Sequence, residues 1–203
     1  HPEQPRSLMR MLSNVGLGVL NQWGLRTLLP GLLIISAEEL ATWQFGLMNW
    51  LDWPEVIEVI ISILLLDCFA YWVHRLFHHY PWLWRLHLVH HNDNAIDFTT
   101  EYRHHPIEAV LLILLYLPVY LLLSPGVIAF LLHLCLQRGI SLLAHPDIGI
   151  PGKWNRRLNA LLVTPDYHRI HHSKTQRQTD SNYSIVFSCW DALFGTQNRV
   201  EDV

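Results

Sequence analysis

Three apolar runs of bilayer length punctuate the chain, at residues 56–73, 107–123 and 127–144. At about 1.5 Å of rise per residue each would form a helix of roughly 26–27 Å, close to the thickness of a hydrocarbon core. A fourth run, residues 15–37, is interrupted by Asn21, Gln22 and Arg26 and makes a weaker span. The Ser124-Pro125-Gly126 turn joins the last two runs into a hairpin, and Pro118 should kink the first of that pair. Residues 74–106 and the tail from 145 onward are more polar, with Pro81, Pro146, Pro151 and Pro165 as breaks. Both stretches are expected to be largely helical and to pack beneath the membrane helices. The pattern predicts an all-α fold. It would be one domain over residues 1–203, an integral membrane bundle of about four transmembrane helices with a helical cap at one end.

Composition sharpens this. The chain is 51% hydrophobic and only 15% charged, where soluble domains carry about 25% charged residues, so part of its surface is expected to face something other than water. A net charge of -3, with no lysine- or arginine-rich tract and no aromatic platform, argues against nucleic acid as a partner. Cys68, Cys135 and Cys189 lie far apart, which indicates neither a disulfide framework nor a CxxC metal site. The chain starts at His1 without a clear signal-peptide pattern, so a processed or truncated start is expected. If the four runs alternate in direction, the N-terminus, residues 74–106 and residues 145–203 share one side. That side holds twelve of the fourteen Lys and Arg residues, while loops 38–55 and 124–126 hold none. The positive-inside rule makes it cytoplasmic. Tryptophans at 50, 53, 72, 82, 84 and 154 fall near the ends of the runs, where an interfacial belt would place them.

The chemistry lies in histidine, of which there are 14. Three clusters stand out: His74-Arg-Leu-Phe-His78-His79, His87-Leu-Val-His90-His91 and His168-Arg-Ile-His171-His172. Helix positions i, i+3 and i+4 share a face, so His74 pairs with His78 and each HxxHH is expected to present three imidazoles on one side. Neutral imidazole suits iron, zinc and copper. In chain order the second run ends at His74, the third starts just after His104 and His105 and the fourth ends at His145, so every cluster is expected on the cytoplasmic face at about the same depth. Eight clustered imidazoles exceed what one ion binds, which makes two metals the natural count. His145, where the last run ends, is expected as a ninth ligand and His105 as a tenth. His1, His79 and His133 are assigned ordinary structural roles. Asp67, Glu101, Glu108, Asp166, Asp180 and Asp191 are candidate acceptors for the far N–H of ligand rings; Asp67 is favoured because it precedes His74 by seven residues on one helical face. His133, Gln137 and Arg138 form a polar stripe on the last run. A charge there should face the bundle interior, where Arg138 would meet a lipid head group, Asp67 or Glu108.

The ordered boxes HxxxH, HxxHH and HxxHH, interleaved with apolar hairpins, resemble the fatty acid hydroxylase and sterol desaturase superfamily over nearly the whole chain. Asp67-Cys-Phe-Ala-Tyr-Trp-Val-His74-Arg is similar to the family's first box and Leu83-Trp-Arg-Leu-His87 leads into the second. Arg103-His-His105-Pro-Ile-Glu108 resembles its R-x-H-P-x-E element, and Thr164-Pro-Asp-Tyr-His168-Arg-Ile-His-His172 its third box. Asp180-Ser-Asn-Tyr and Trp190-Asp-Ala-Leu-Phe-Gly-Thr196 are also family-like. Asp147 stands where an Asn is expected and Ser184 where a Gly is frequent. The resemblance implies two iron ions, O2 as co-substrate and the hydroxylation or desaturation of a lipid C–H bond. With no flavin or dinucleotide fingerprint, electrons would come from an external donor such as a cytochrome, ferredoxin or flavin reductase. Two other classes compete on the residues alone. A zinc-dependent membrane hydrolase would need only three or four ligands and a carboxylate base, and a metal transporter would place ligands midway along its helices.

Overall fold

A computed structural model describes residues 7–21, 31 and 39–199. The regular structure among the described residues is helical, with one isolated antiparallel bridge between Leu162 and Phe187. Helix α1 is Leu8–Asn21, and a short α2, Leu47–Trp50, precedes the long α3, Glu55–His79. The chain then folds back through α4, Pro81–His91, and a 3-10 turn, Thr100–Tyr102. The hairpin of α5, Pro106–Leu123, and α6, Val127–Ala144, follows. The tail carries four short helices, α7 (Gly152–Leu158), α8 (Pro165–His171), α9 (Gln176–Thr179) and α10 (Cys189–Leu193).

Helices α3, α5 and α6 are long and apolar enough to cross a membrane, and at most 33% of each apolar window is buried in protein. The described residues leave most of each helix uncovered, as a lipid-facing surface would be, which supports a multi-pass membrane protein. The three match the three strong apolar runs. Of the weaker fourth run, residues 22–37 other than Gly31 lie outside the described residues. Its start belongs to α1, which is polar inward and apolar outward. Asn14 and Asn21 are buried while Leu12, Val15, Val19 and Leu20 are exposed.

Local chemistry explains the breaks that set the site. Pro81 sits at the first position of α4 and holds Tyr80 in extended geometry, so α3 stops at His79 and α4 returns beside it. Gly46 adopts φ +96, and a Cβ there would collide with Ser124. Ser124 is itself left-handed, φ 49 and ψ 58, where α5 turns into α6. Glu58 accepts from the Gly126 amide at 2.9 Å, tying that turn to α3. The expectation of a largely helical tail is corrected: most of it is loop, held to the bundle by side chains. Asp191 anchors it, accepting from the Tyr183 amide (2.8 Å), the Ser184 amide (2.9 Å), the Tyr167 hydroxyl (3.1 Å) and the Thr196 hydroxyl (2.7 Å). A polar network fixes α1 to the loop before the 3-10 turn. Arg10 bonds Asp93 at 2.6 Å and also Asp97, and Asp93 accepts from Asn14 (2.9 Å) and Thr100 (2.8 Å).

Candidate metal centre

Nine imidazoles converge where α3, α4, α6 and α8 meet. They form two groups, His74, His78, His87, His91 and His171 in one and His90, His145, His168 and His172 in the other; within each, one ring nitrogen per residue lies within 4.8 Å of the rest. Each HxxHH divides between them, which corrects the expectation of three rings on one side. At about 100° per residue, positions i and i+4 differ by about 40°, while i+3 stands about 100° from i+4. In α4 the pair His87 and His91 joins the first group and His90 the second. In and just after α8 the arrangement is reversed: His168 and His172 join the second group and His171 the first.

The far nitrogens fix the tautomers. His74 Nδ1 donates to the Tyr183 carbonyl (2.7 Å), His171 Nδ1 to that of Ser181 (2.7 Å) and His87 Nδ1 to the Glu108 carboxylate (2.8 Å). In the second group His145 Nδ1 donates to the Ser141 carbonyl (2.7 Å) and His90 Nδ1 to that of Thr100 (3.2 Å). These acceptors carry no proton, so in the neutral rings each Nε2 presents a lone pair. Yet the Nε2 atoms of His74 and His87 lie 3.1 Å apart, those of His74 and His171 3.1 Å and those of His90 and His145 3.3 Å. Lone pairs facing lone pairs across such distances repel unless a cation lies between them. His78 and His91 add buried ring nitrogens with no protein partner. The donor set therefore fits a metal ion in each group.

Burial keeps the rings neutral, the form that ligates. It drives His90, His91, His168 and His172 well below the ordinary histidine range, and the crowding of neighbouring rings adds to the effect. Burial lowers His171 to about 3. His145 is lowered by burial too, against an opposing pull from Glu101.

His105 is not brought to either group. Its Nδ1 accepts from the Ile107 amide (3.1 Å) and so caps α5. Its neighbour His104 does approach, stacking on His90 with centroids 4.5 Å apart and donating from Nδ1 to Glu108 (3.1 Å). Sequence reasoning passed over His104, because the R-x-H-P-x-E likeness draws attention to the residue after it. Among the acidic candidates, Glu108 alone receives a hydrogen bond from a ring of the two groups. Asp180 lies 3.5 Å from His78 Nδ1, and Glu101 3.8 Å from His145 Nδ1. Asp67 instead accepts from the Phe187 amide (3.1 Å) and the Trp190 indole (2.8 Å), pinning the tail to α3. Asp191 organises the tail as described above, and Asp166 pairs with Arg169 (3.3 Å). Arg138 pairs with Glu101 (3.1 Å) rather than with Asp67 or Glu108. The carbonyls behind His74, His90, His145 and His171 left no trace in the sequence, since any residue supplies one.

A cavity of about 520 Å³ runs from His74, His87, His90, His145 and His168 up between α3, α5 and α6. Its walls beyond the histidines are mostly apolar, including Leu66, Phe77, Leu112, Tyr120 and Phe130.

Comparison with known proteins agrees with this layout. The fatty acid hydroxylase family model matches residues 59–196, which contain all nine grouped histidines. An ornithine lipid hydroxylase of Rhizobium tropici is 32% identical over 72% of this chain and 44% of its own length. Human alkylglycerol monooxygenase is 29% identical over 95% of this chain and 41% of its own. A very-long-chain aldehyde decarbonylase of rice is 25% identical over 75% and 25%. The chain thus spans less than half the length of these relatives. No solved structure matches it. With the family model covering the membrane helices and every clustered histidine, the chain belongs to the fatty acid hydroxylase family.

Proposed function

We propose that the chain is a membrane-bound di-iron oxygenase that hydroxylates or desaturates a C–H bond of a lipid, using O2 and two electrons from a separate donor. The observation that carries this reading is the pair of imidazole groups whose Nε2 lone pairs converge while carbonyls and Glu108 hold the Nδ1 protons. His74, His78, His87, His91 and His171 would hold one iron, and His90, His145, His168 and His172 the other. When bound, the irons would supply the activation of O2 and the removal of hydrogen from an unactivated carbon. The named relatives, a lipid hydroxylase and an alkylglycerol monooxygenase, favour iron over the zinc that the same nitrogens could also take.

The protein's own part is placement. The apolar walls between α3, α5 and α6 take a hydrocarbon chain out of the bilayer and exclude water from it. His74, His87, His90, His145 and His168 stand at the end of that channel, where the carbon to be oxidised would arrive. The hydrogen-bonded carbonyls and Glu108 hold the rings in their ligating tautomer through each turnover. We place the histidine end and both termini on the cytoplasmic side, from the distribution of Lys and Arg, within reach of a cytochrome, ferredoxin or flavin reductase. The test is metal analysis of protein purified in mild detergent and reconstituted with iron, alongside O2 consumption with a reductant and a profile of the lipids altered. About two irons per chain and oxygen incorporated into, or hydrogen removed from, a lipid is the expected result. A single zinc, with no O2 uptake after iron is supplied, would overturn it.

A further inference from the structure

The cavity is not uniformly greasy. One face of α6 lines it, and along that face Phe130, His133, Gln137, Ser141 and His145 follow at helical spacing. His133 is only 4% exposed, and its Nε2 is buried without a hydrogen-bond partner. One turn away, the Gln137 amide lies within hydrogen-bonding reach of the Tyr116 hydroxyl across the cavity, which leaves part of its capacity unused. Leu66, Tyr120, Phe130 and Leu134 surround them. An imidazole inside a membrane helix is expensive and marks a functional position by default. The metal groups do not use this one: His133 stands twelve residues from His145 along α6, about 18 Å at the helical rise, and Gln137 about 12 Å.

We propose that His133, with Gln137, forms a polar subsite for an uncharged oxygen of the substrate, a hydroxyl, ether or carbonyl. It lies about 12–18 Å along the channel from the carbon presented to the histidines. A neutral imidazole offers one donor and one acceptor, which suits a hydroxyl best and an ether or carbonyl through its N–H; Arg138, the cation that lines the same cavity, is already paired with Glu101, so a carboxylate is not favoured. The consequence is register. A plain hydrocarbon chain can slide in an apolar channel, whereas one hydrogen bond at a fixed distance selects which carbon reaches the reactive end. The substrate class is therefore a lipid whose apolar body carries an oxygen at its far end, rather than an unsubstituted alkyl chain. The choice of oxidised carbon rests on the oxygenase reading; the binding preference does not.

The test is equilibrium binding of radiolabelled 1-hexadecanol and hexadecane to the full chain in phosphatidylcholine nanodiscs, for wild type, His133→Leu and His133→Gln. Comparing the alcohol-to-alkane ratio between proteins cancels partition into the lipid. His133→Leu should lose about three- to tenfold of the alcohol preference, the range of a single hydrogen bond, with alkane binding equal or tighter. His133→Gln, which keeps a neutral donor and acceptor, should retain the preference. Should the leucine variant fail to fold, Gln137→Leu serves in its place, with a loss in the same direction. Equal ratios in wild type and in the folded leucine variant would overturn the proposal, and would mean that water alone meets His133. The oxygenase reading fails separately: O2 uptake absent from a protein that still prefers the alcohol defeats that reading and leaves the subsite standing.

Discussion

Replacing Glu108 by glutamine keeps the shape of the side chain and removes its charge. Glu108 Oε1 accepts from His87 Nδ1 at 2.8 Å and from His104 Nδ1 at 3.1 Å. A glutamine oxygen can still accept, but charge-assisted bonds are about twice as strong as neutral ones. Losing such support typically costs 10–100-fold in metal affinity, or about 1.4–2.7 kcal/mol. The loss should be selective. His87 belongs to the group of His74, His78, His91 and His171, whereas His90 and its partners draw their Nδ1 support from Thr100 and Ser141. Titration of the iron-loaded variant with a chelator, followed by metal analysis, should release one iron per chain early and the second at the wild-type concentration. Asp67→Asn is the control, because its carboxylate meets Phe187 and Trp190 and no histidine. It should lower stability by about 1–3 kcal/mol and leave both irons in place. Simultaneous release of both irons from Glu108→Gln at the wild-type chelator concentration would refute the reasoning, as would loss of iron from folded Asp67→Asn.

Other outcomes follow from the same contacts. His105→Ala should cost about 1 kcal/mol of stability, as the loss of a helix cap does, with metal content unchanged, which thermal melting and metal analysis would show. His145→Ala should lose iron and activity together, measured beside His79→Ala, whose exposed ring faces away from both groups and which should keep both. Burial alone would raise the Asp97 carboxyl, but bonds from Thr99 and Arg10 outweigh it and hold the group below the usual range. Its stabilising contribution is therefore present above pH of about 4, the unfolded value, and is lost as pH falls below it. Asp97→Asn should flatten that part of the stability profile in acid unfolding. Reporter fusions at residue 203 and within 40–52 should report opposite sides of the membrane; the same side for both would defeat the proposed orientation.

Much of the fold was legible because long apolar runs have few solutions in a bilayer. Residues 107–123 and 127–144, with Ser124-Pro125-Gly126 between them, map onto α5 and α6 within a residue. The apolar run closes at residue 73 while the helix continues to His79, since hydrophobicity marks only where the apolar stretch ends and Pro81 decides where the helix ends. The tail departs from a helical expectation for a related reason. Its order comes from long-range bonds to Asp67 and Asp191, which stabilise loops without any helical signature. Register with His74 points Asp67 toward the site, yet its carboxylate meets the tail, a contact 120 residues away in sequence that local spacing cannot reveal.

The histidines show most clearly where spacing stops being informative. That i and i+4 share a face holds for His74 with His78, His87 with His91 and His168 with His172, and each of these pairs stays within one group. The middle histidine of each HxxHH stands about 100° from the last and crosses to the other group. One turn of α4 and one turn of α8 each reach both groups, with the roles exchanged. The separation of the two groups is therefore set twice over by helix geometry, which is stiff, rather than by loop packing, which is not. Displacing α8 cannot disturb one group alone, because His171 moves with His168. Two such helices would hold two metals at a fixed spacing, while α5 and the apolar lengths of α3 and α6 shape the part of the cavity that a lipid would enter. A metal site held apart from the part of the cavity that receives the substrate is consistent with relatives that bear the names of a hydroxylase, a monooxygenase and a decarbonylase.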